Sequence, residues 1–160
     1  MGNPSVAAAR ARLSAAAPFV VVAALAMFAG GLVAAAIAHA PGQRLVWMVA
    51  YLVLVVGMAQ AALGAGQAWL AAAAPSPRLV TAQCAVFNAG NLGVIAGTLL
   101  SLLPLVAVGS ALFAIGLGLF LVGLRGSRRG WPLLVCRLVV AISCAGAVVG
   151  LALSIVRIAG

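Results

Sequence analysis

Long apolar runs separated by short polar turns organise the whole sequence. The runs cover residues 15–38, 45–70, 79–102, 103–124 and 131–156. Each is long enough to cross a hydrocarbon core of about 30 Å as a helix. Barrel strands would instead alternate apolar and polar residues over stretches of about ten. The pattern predicts an all-α, polytopic transmembrane helix bundle with five spans, or four if the third and fourth runs merge.

The segments outside the runs are short. Residues 1–14 form a polar arm, and turns are expected at 39–44, 74–78 and 126–130, where Pro, Gly, Ser and Arg concentrate. Arg10, Arg12 and the first run also fit a signal peptide cleaved after Ala40. That run exceeds the 7–15 apolar residues of a signal sequence, and Pro41 would follow the cut, so an uncleaved first span is preferred.

The distribution of charged residues predicts how the chain is oriented in the membrane. The chain has 6% charged residues and a net charge of +9, without any Asp or Glu. Arginines outside the spans divide six to two between the sides: Arg10, Arg12, Arg78, Arg125, Arg128 and Arg129 against Arg44 and Arg157. The positive-inside rule therefore predicts a cytoplasmic N-terminus. The scattered arginines favour membrane lipids as partners and not nucleic acid. The Ala, Gly, Val and Arg bias without Lys fits a GC-rich bacterial genome, so a bacterial inner membrane is expected.

Small and polar residues mark one face of the second span. Gly57, Gln60, Gly64 and Gln67 follow each other at steps of three, four and three, which keeps them on one side of a helix. Glycines allow close helix packing, and glutamine amides can bond to a neighbouring helix. Either an interhelical packing seam or a polar path for a ligand fits this face.

The third span carries the most polar face. Cys84, Asn88, Asn91 and Thr98 share one side of the predicted helix. Asparagines are costly in lipid unless they face the bundle interior. They predict interhelical hydrogen bonds or a site for a ligand, cofactor or water. Additional small residues predict close helix packing: Gly93 and Gly97 in this span, and Gly109, Gly116 and Gly123 in the fourth.

Arg137 is a single charge inside the fifth span. It lies six residues after Trp131, about 9 Å along a helix. Its side chain can reach lipid phosphate by snorkelling, or it can face inward and pair with Asn88, Asn91, carbonyls or an external anion. A small-residue stripe on the same span predicts packing against another helix of this chain or of a partner: Ser143, Gly146, Ala147, Gly150 and Ser154.

The missing residue types limit the chemistry. Without carboxylates the chain has no acidic general base and no carboxylate metal cage. His39 lies at the end of a span, where an interfacial role is expected and a haem or zinc site would require more ligands. Cys84, Cys136 and Cys144 lie in apolar runs, where thiols behave as small hydrophobes. We therefore expect no catalytic residues, no metal and no cofactor.

One segment resembles a known kind of protein. The run Phe87-Asn-Ala-Gly-Asn-Leu-Gly93, followed by a Gly- and Leu-rich fourth span, resembles helix pairs of small haem-copper-oxidase-like membrane proteins. The resemblance covers less than a third of the chain. The inward histidines that bind haem in those proteins are missing here, so no site residue is transferred.

These features favour a non-catalytic accessory, assembly or scaffold subunit of a membrane complex, with a membrane-protein partner or a second copy of itself. The first alternative is an oligomeric channel or transporter for a small, possibly anionic solute, lined by Gln60, Gln67, Asn88 and Asn91. The second is a quinone- or haem-associated redox subunit.

Overall fold

The chain folds into helices throughout the part that the structure describes. This computed structural model describes residues 4–127 and 130–159, with side chains from Ser5 to Gly150 except those of 128, 129, 132 and 147. The elements are α1 (Pro4–Ala36), α2 (Gln43–Tyr51), the π-helix π1 (Leu52–Ala59), α3 (Gln60–Leu70), α4 (Pro77–Leu100), α5 (Leu103–Gly123) and α6 (Trp131–Ala159). Because α2, π1 and α3 are continuous, five helical segments result, all long and apolar enough to cross a membrane.

The predicted five-helix, all-α bundle is thereby confirmed, and its ends differ from the prediction mainly at the N-terminus. Helix α1 begins at Pro4 and continues through most of the predicted polar arm. Alanine and arginine, which dominate residues 7–12, are strong helix formers, so the helix extends beyond its apolar part. The predictions for Arg128 and Arg129 and for the side chains of Ala147, Ser154 and Arg157 lie outside the described residues.

Helices α4 and α5 form a tight antiparallel hairpin. Helix α4 begins where Ser76 Oγ accepts a hydrogen bond from the Leu79 backbone N–H at 3.3 Å, with a proline in its first turn. It ends at Ser101, which adopts a left-handed conformation with φ of 57°. The next N–H, that of Leu102, then donates to Gly97 O at 2.8 Å. This closing hydrogen bond reverses the chain within two residues.

Glycines bring the backbones of α4 and α5 into contact. A Cβ placed on Gly109 would lie 2.5 Å from Val94 N, and one on Gly97 would lie 2.6 Å from Val106 N. A Cβ on Gly93 would lie 2.9 Å from Gly109 Cα. No side chain fits at these points, so the close approach depends on glycine in both helices.

Four phenylalanines connect the hairpin to the rest of the bundle. Phe87 packs on Phe113 at 5.1 Å between ring centroids and on Phe120 at 5.9 Å, the latter nearly perpendicular. Phe19 of α1 packs on Phe120 at 5.0 Å and is fully buried. These edge-to-face and tilted contacts are the preferred geometries of aromatic pairs. The core therefore joins α1, α4 and α5.

At each end of the bundle, an arginine side chain donates a hydrogen bond to a backbone carbonyl of another element. Arg12 Nη2 donates to the carbonyl of Ala72, in the α3–α4 connection, at 3.2 Å. Gly126, in the α5–α6 turn, lies beside the same Ala72. At the other end Arg44 Nη1 donates to Leu99 O at 3.2 Å. The start of α1, the α3–α4 connection and the α5–α6 turn thus share one end of the bundle.

Candidate functional site

Polar side chains form hydrogen bonds between the second and third spans. Tyr51 Oη, at the end of α2, donates to Asn91 Oδ1 at 2.8 Å. Asn91 Nδ2 in turn donates to Phe87 O at 2.9 Å, and the Asn91 side chain is 1% exposed. Both polar atoms of this buried amide are therefore satisfied. Asn91 acts here as a link between helices, which is one of the two roles its sequence position predicted.

A second polar link lies nearer the other end of the same spans. Gln67 Nε2 donates to Gln83 Oε1 at 3.2 Å, and Gln83 Nε2 donates to Leu119 O at 2.8 Å. The chain of bonds connects α3, α4 and α5. A Cβ on Gly123 would lie 2.5 Å from Gln67 Nε2, so this glycine leaves room for the amide pair. The sequence pattern had identified Gln67 but not Gln83.

Gln60 lies between these two links and differs from both. Its side chain is fully buried, and neither its Nε2 nor its Oε1 has a hydrogen-bond partner among the described residues. Gln60 is nine residues after Tyr51 and seven before Gln67, so the three polar positions are spaced about 10–14 Å apart along the span. An unsatisfied buried amide is costly, and Gln60 therefore leaves unused hydrogen-bonding capacity at the middle of the second span, in addition to the unpartnered Oε1 of Gln67.

The π-helix π1 immediately precedes Gln60. It spans eight residues between Tyr51 and Gln60, and most π-helices are single-turn bulges found at functional sites. A π-helix has more residues per turn than an α-helix. The π1 segment therefore changes the angle about the helix axis between Tyr51 and the glutamines that follow. As a result Tyr51 faces Asn91 while Gln60 and Gln67 remain inside the bundle.

A cleft opens between α1 and α4 beside the polar links. It has a volume of about 510 Å³, and π1 forms its floor. We call it the α1–α4 cleft; it is lined chiefly by apolar side chains, including Val22, Ala26, Val56, Ala85, Asn88 and Leu92. Ala85 and Leu92 are exposed at its rim. The volume falls within the range of ligand pockets, and most of the lining side chains are large and apolar, with Ala26 and Ala85 the small ones.

Asn88 provides the polar group of this cleft. Its Nδ2 donates to Cys84 O at 2.8 Å and lies 3.6 Å from Cys84 Sγ. Its Oδ1 receives no hydrogen bond from the residues that the structure describes, and the side chain is only half-buried. Asn88 is the twelfth of the 24 residues of α4, so this free acceptor lies near the middle of the span.

The other predicted polar residues lie elsewhere. Thr98, half-buried, is not among the residues that line the cleft. Arg137 is exposed on α6 and lines a separate cavity with Arg125 and Ser127. Arg137 therefore does not lie with Asn88 and Asn91 in one site, and pairing with them was one of several options predicted for an inward-facing side chain. Its exposed position matches the alternative in which the guanidinium reaches outward.

The predicted packing glycines divide into two groups. Gly57, Gly64, Gly93 and Gly97 all contact a neighbouring helix: a Cβ on Gly57 would meet Met27, and one on Gly64 would lie 2.6 Å from Phe19 Cβ. A Cβ on Gly146 or Gly150 would meet no atom within 4 Å. Neither glycine is therefore packed against another helix within the described part of this chain, and the alternative, packing against a partner's helix, stays a prediction.

The bundle presents amides and thiols but no clustered metal ligands. Within residues 4–127 and 130–159, no three His, Cys, Asp or Glu side chains are close enough to hold a metal ion. Cys84, Cys136 and Cys144 are all free thiols. The arrangement can therefore accept and donate hydrogen bonds inside the membrane.

The geometry defines a class of protein: an all-α bundle of five helices able to span a membrane, with amide links inside and a lateral cleft. Comparison with protein-family models, with curated proteins and with solved structures finds no match.

Proposed function

We propose that the protein is a non-catalytic accessory, assembly or scaffold subunit of a membrane complex, and that the α1–α4 cleft binds a transmembrane helix of its partner. One observation carries the proposal: an apolar cleft at the side of the bundle contains a free hydrogen-bond acceptor, Asn88 Oδ1, near mid-span. The other interior amides, apart from Gln60, are used in links between helices of the chain.

The depth of Asn88 favours a helix as the occupant. A phospholipid carries its polar groups at the interface, about 15 Å from the middle of the hydrocarbon core. A helix can instead present a Ser, Thr, Asn or Gln donor at mid-span. Ala85, exposed at the rim, gives the cleft a small side chain beside which a partner helix can approach closely.

The arginine positions support a cytoplasmic N-terminus in a bacterial inner membrane. Arg12 and Arg125 lie at the end of the bundle where α1 begins, and Arg44 lies at the other end. An excess of arginine on one side is the feature that orients multi-pass proteins, with the basic side facing the cytoplasm. The partner's helix would then share the membrane with all five spans.

A second candidate is a solute channel or transporter, and Gln60 is the observation that favours it. Its fully buried, unpartnered amide lies between the Tyr51–Asn91 and Gln67–Gln83 links, so polar side chains occur at three levels of the second span. Phe19, Phe87 and Phe120 fill the interior nearby, however, and the lateral cleft does not continue along this row. A path would require these helices to move apart or several chains to assemble.

Filling the cleft tests the proposed function. Ala85→Trp places a large ring in the cleft, whereas Ile115→Trp adds the same ring on the exposed face of α5, away from it. In mild detergent, the tagged wild type and Ile115→Trp should retain a membrane-protein partner, and Ala85→Trp should lose it by about tenfold or more through steric exclusion.

The thermal unfolding midpoint of each purified variant, compared with that of the wild type, shows whether the variants are equally well folded. Equal partner recovery with Ala85→Trp and wild type would contradict binding in the cleft. Coexpression of two differently tagged copies identifies the partner as a second copy if they copurify and Ala85→Trp separates them. Wild-type protein that is always recovered alone would remove the accessory-subunit proposal.

A further inference from the structure

The α5–α6 turn brings two arginines and a buried hydroxyl into one cavity. Arg125 follows the end of α5 and Arg137 lies six residues into α6, and both line a cavity of about 360 Å³. We call it the arginine cavity. It is separate from the α1–α4 cleft, which contains no arginine among its lining residues. Its charge has no part in the proposed binding of a partner helix.

The hydroxyl of Ser127 is the second feature of this cavity. Ser127 Oγ is buried and has no hydrogen-bond partner among the described residues, yet Ser127 lines the cavity. A buried hydroxyl without a partner is costly, because it has given up its bonds with water. A ligand with acceptor oxygens bound in this cavity would lie among Arg125, Arg137 and Ser127.

The sequence provides no internal anion for these arginines. It contains nine arginines and no Asp or Glu, so no carboxylate side chain of this chain can neutralise them. Guanidinium groups bind phosphate oxygens well, because their planar N–H fork matches two oxygens at once. The missing counter-ion is therefore expected to come from outside the chain, with phosphate as the best-matched chemistry.

The remaining lining distinguishes a lipid phosphate from a free one. Leu121, Leu124 and Leu133 line the same cavity as the two arginines. The cavity thus combines an apolar wall with a basic rim at the end of two membrane-length helices. Basic pockets between transmembrane helices at the cytoplasmic interface are suited to anionic lipid headgroups.

We infer that the arginine cavity binds the phosphate of an anionic phospholipid through Arg125, Arg137 and Ser127, with its acyl chain against the leucines. Bound there, the lipid neutralises Arg137 at the edge of the hydrocarbon region. The bound lipid also stabilises the packing of α6 against the end of α5.

Lipid binding to the purified full chain tests the inference. Phosphatidylglycerol should raise the thermal midpoint of the wild type more than phosphatidylcholine does, and native mass spectrometry should show retained phosphatidylglycerol. Arg125→Gln and Arg137→Gln should each lower the apparent affinity for phosphatidylglycerol, and the double variant should lower it by about tenfold or more. Ser127→Ala, which keeps all charges, should weaken the binding by a smaller factor.

Arg78→Gln is the matched control, because Arg78 is exposed at the start of α4 and does not line the cavity. It should leave the preference for phosphatidylglycerol unchanged. An equal loss in Arg78→Gln and in either cavity arginine would show diffuse charge attraction and overturn the inference. Inorganic phosphate that reproduces the stabilisation and displaces phosphatidylglycerol would overturn the lipid assignment, and so would equal effects of the two lipids.

Discussion

Replacing Gly109 with alanine is expected to lower the free energy of unfolding by about 2–3 kcal/mol. The added Cβ would lie 2.5 Å from Val94 N and 2.7 Å from Gly93 C, so it meets backbone that cannot rotate away. Helices α4 and α5 must then move apart along their whole contact. The measurement is the unfolding transition in SDS titrations of protein in mixed micelles.

Gly118→Ala on the same helix is the control for this prediction. A Cβ at Gly118 would meet nothing within 4 Å, and alanine is the better helix former, so stability should be unchanged or slightly higher. Equal effects of the two substitutions would contradict the close approach of α4 and α5. A loss confined to Gly109→Ala would support it.

Gln83→Leu is expected to lower the stability of the bundle, and Gln60→Leu is not. Gln83→Leu removes the acceptor of Gln67 Nε2 and the donor to Leu119 O, and should cost about 1–3 kcal/mol because a buried donor loses its partner. Gln60→Leu removes a buried amide that has no partner, so it should be neutral or stabilising by about 1 kcal/mol. The same SDS titration measures both.

The same two substitutions distinguish a structural role of Gln60 from a role in solute transport. If Gln60→Leu destabilises as strongly as Gln83→Leu, Gln60 has a partner and the account of an unsatisfied amide is wrong. If the Gln60→Leu protein is as stable as the wild type but no longer supports solute flux in liposomes, the channel hypothesis replaces the accessory-subunit hypothesis. If the Gln60→Leu protein keeps its stability and the wild type shows no flux, the accessory role remains the supported function.

The length of the apolar runs was enough to predict the five spans. The turn predicted at 74–78 does separate the second and third spans, although α4 begins inside it at Pro77, with Ser76 as the helix N-cap. Steps of three and four also placed Gln60, Gln67 and Asn91 on faces that prove to be buried. These features depend on local sequence alone, which is why the pattern reveals them.

Features that depend on contacts between helices were not predictable in the same way. The π-helix occupies an apolar run without any distinguishing residue. Gln83 was missed, although it precedes Phe87 and Asn91 by steps of four and so shares their face. Gly146 and Gly150 repeat the spacing of the packing glycines, but spacing does not reveal whether a helix lies opposite. Only the assembled bundle distinguishes these cases.

Site-specific photocrosslinking in native membranes tests the central claim most directly. A photoreactive side chain replaces Leu92, at the rim of the α1–α4 cleft, or Ile115, which is 55% exposed on α5 and serves as the control. The account predicts a discrete crosslink from position 92 to a transmembrane helix of one partner protein, or of a second copy, and none from position 115. Only lipid adducts at position 92, or the same products at both positions, would contradict it.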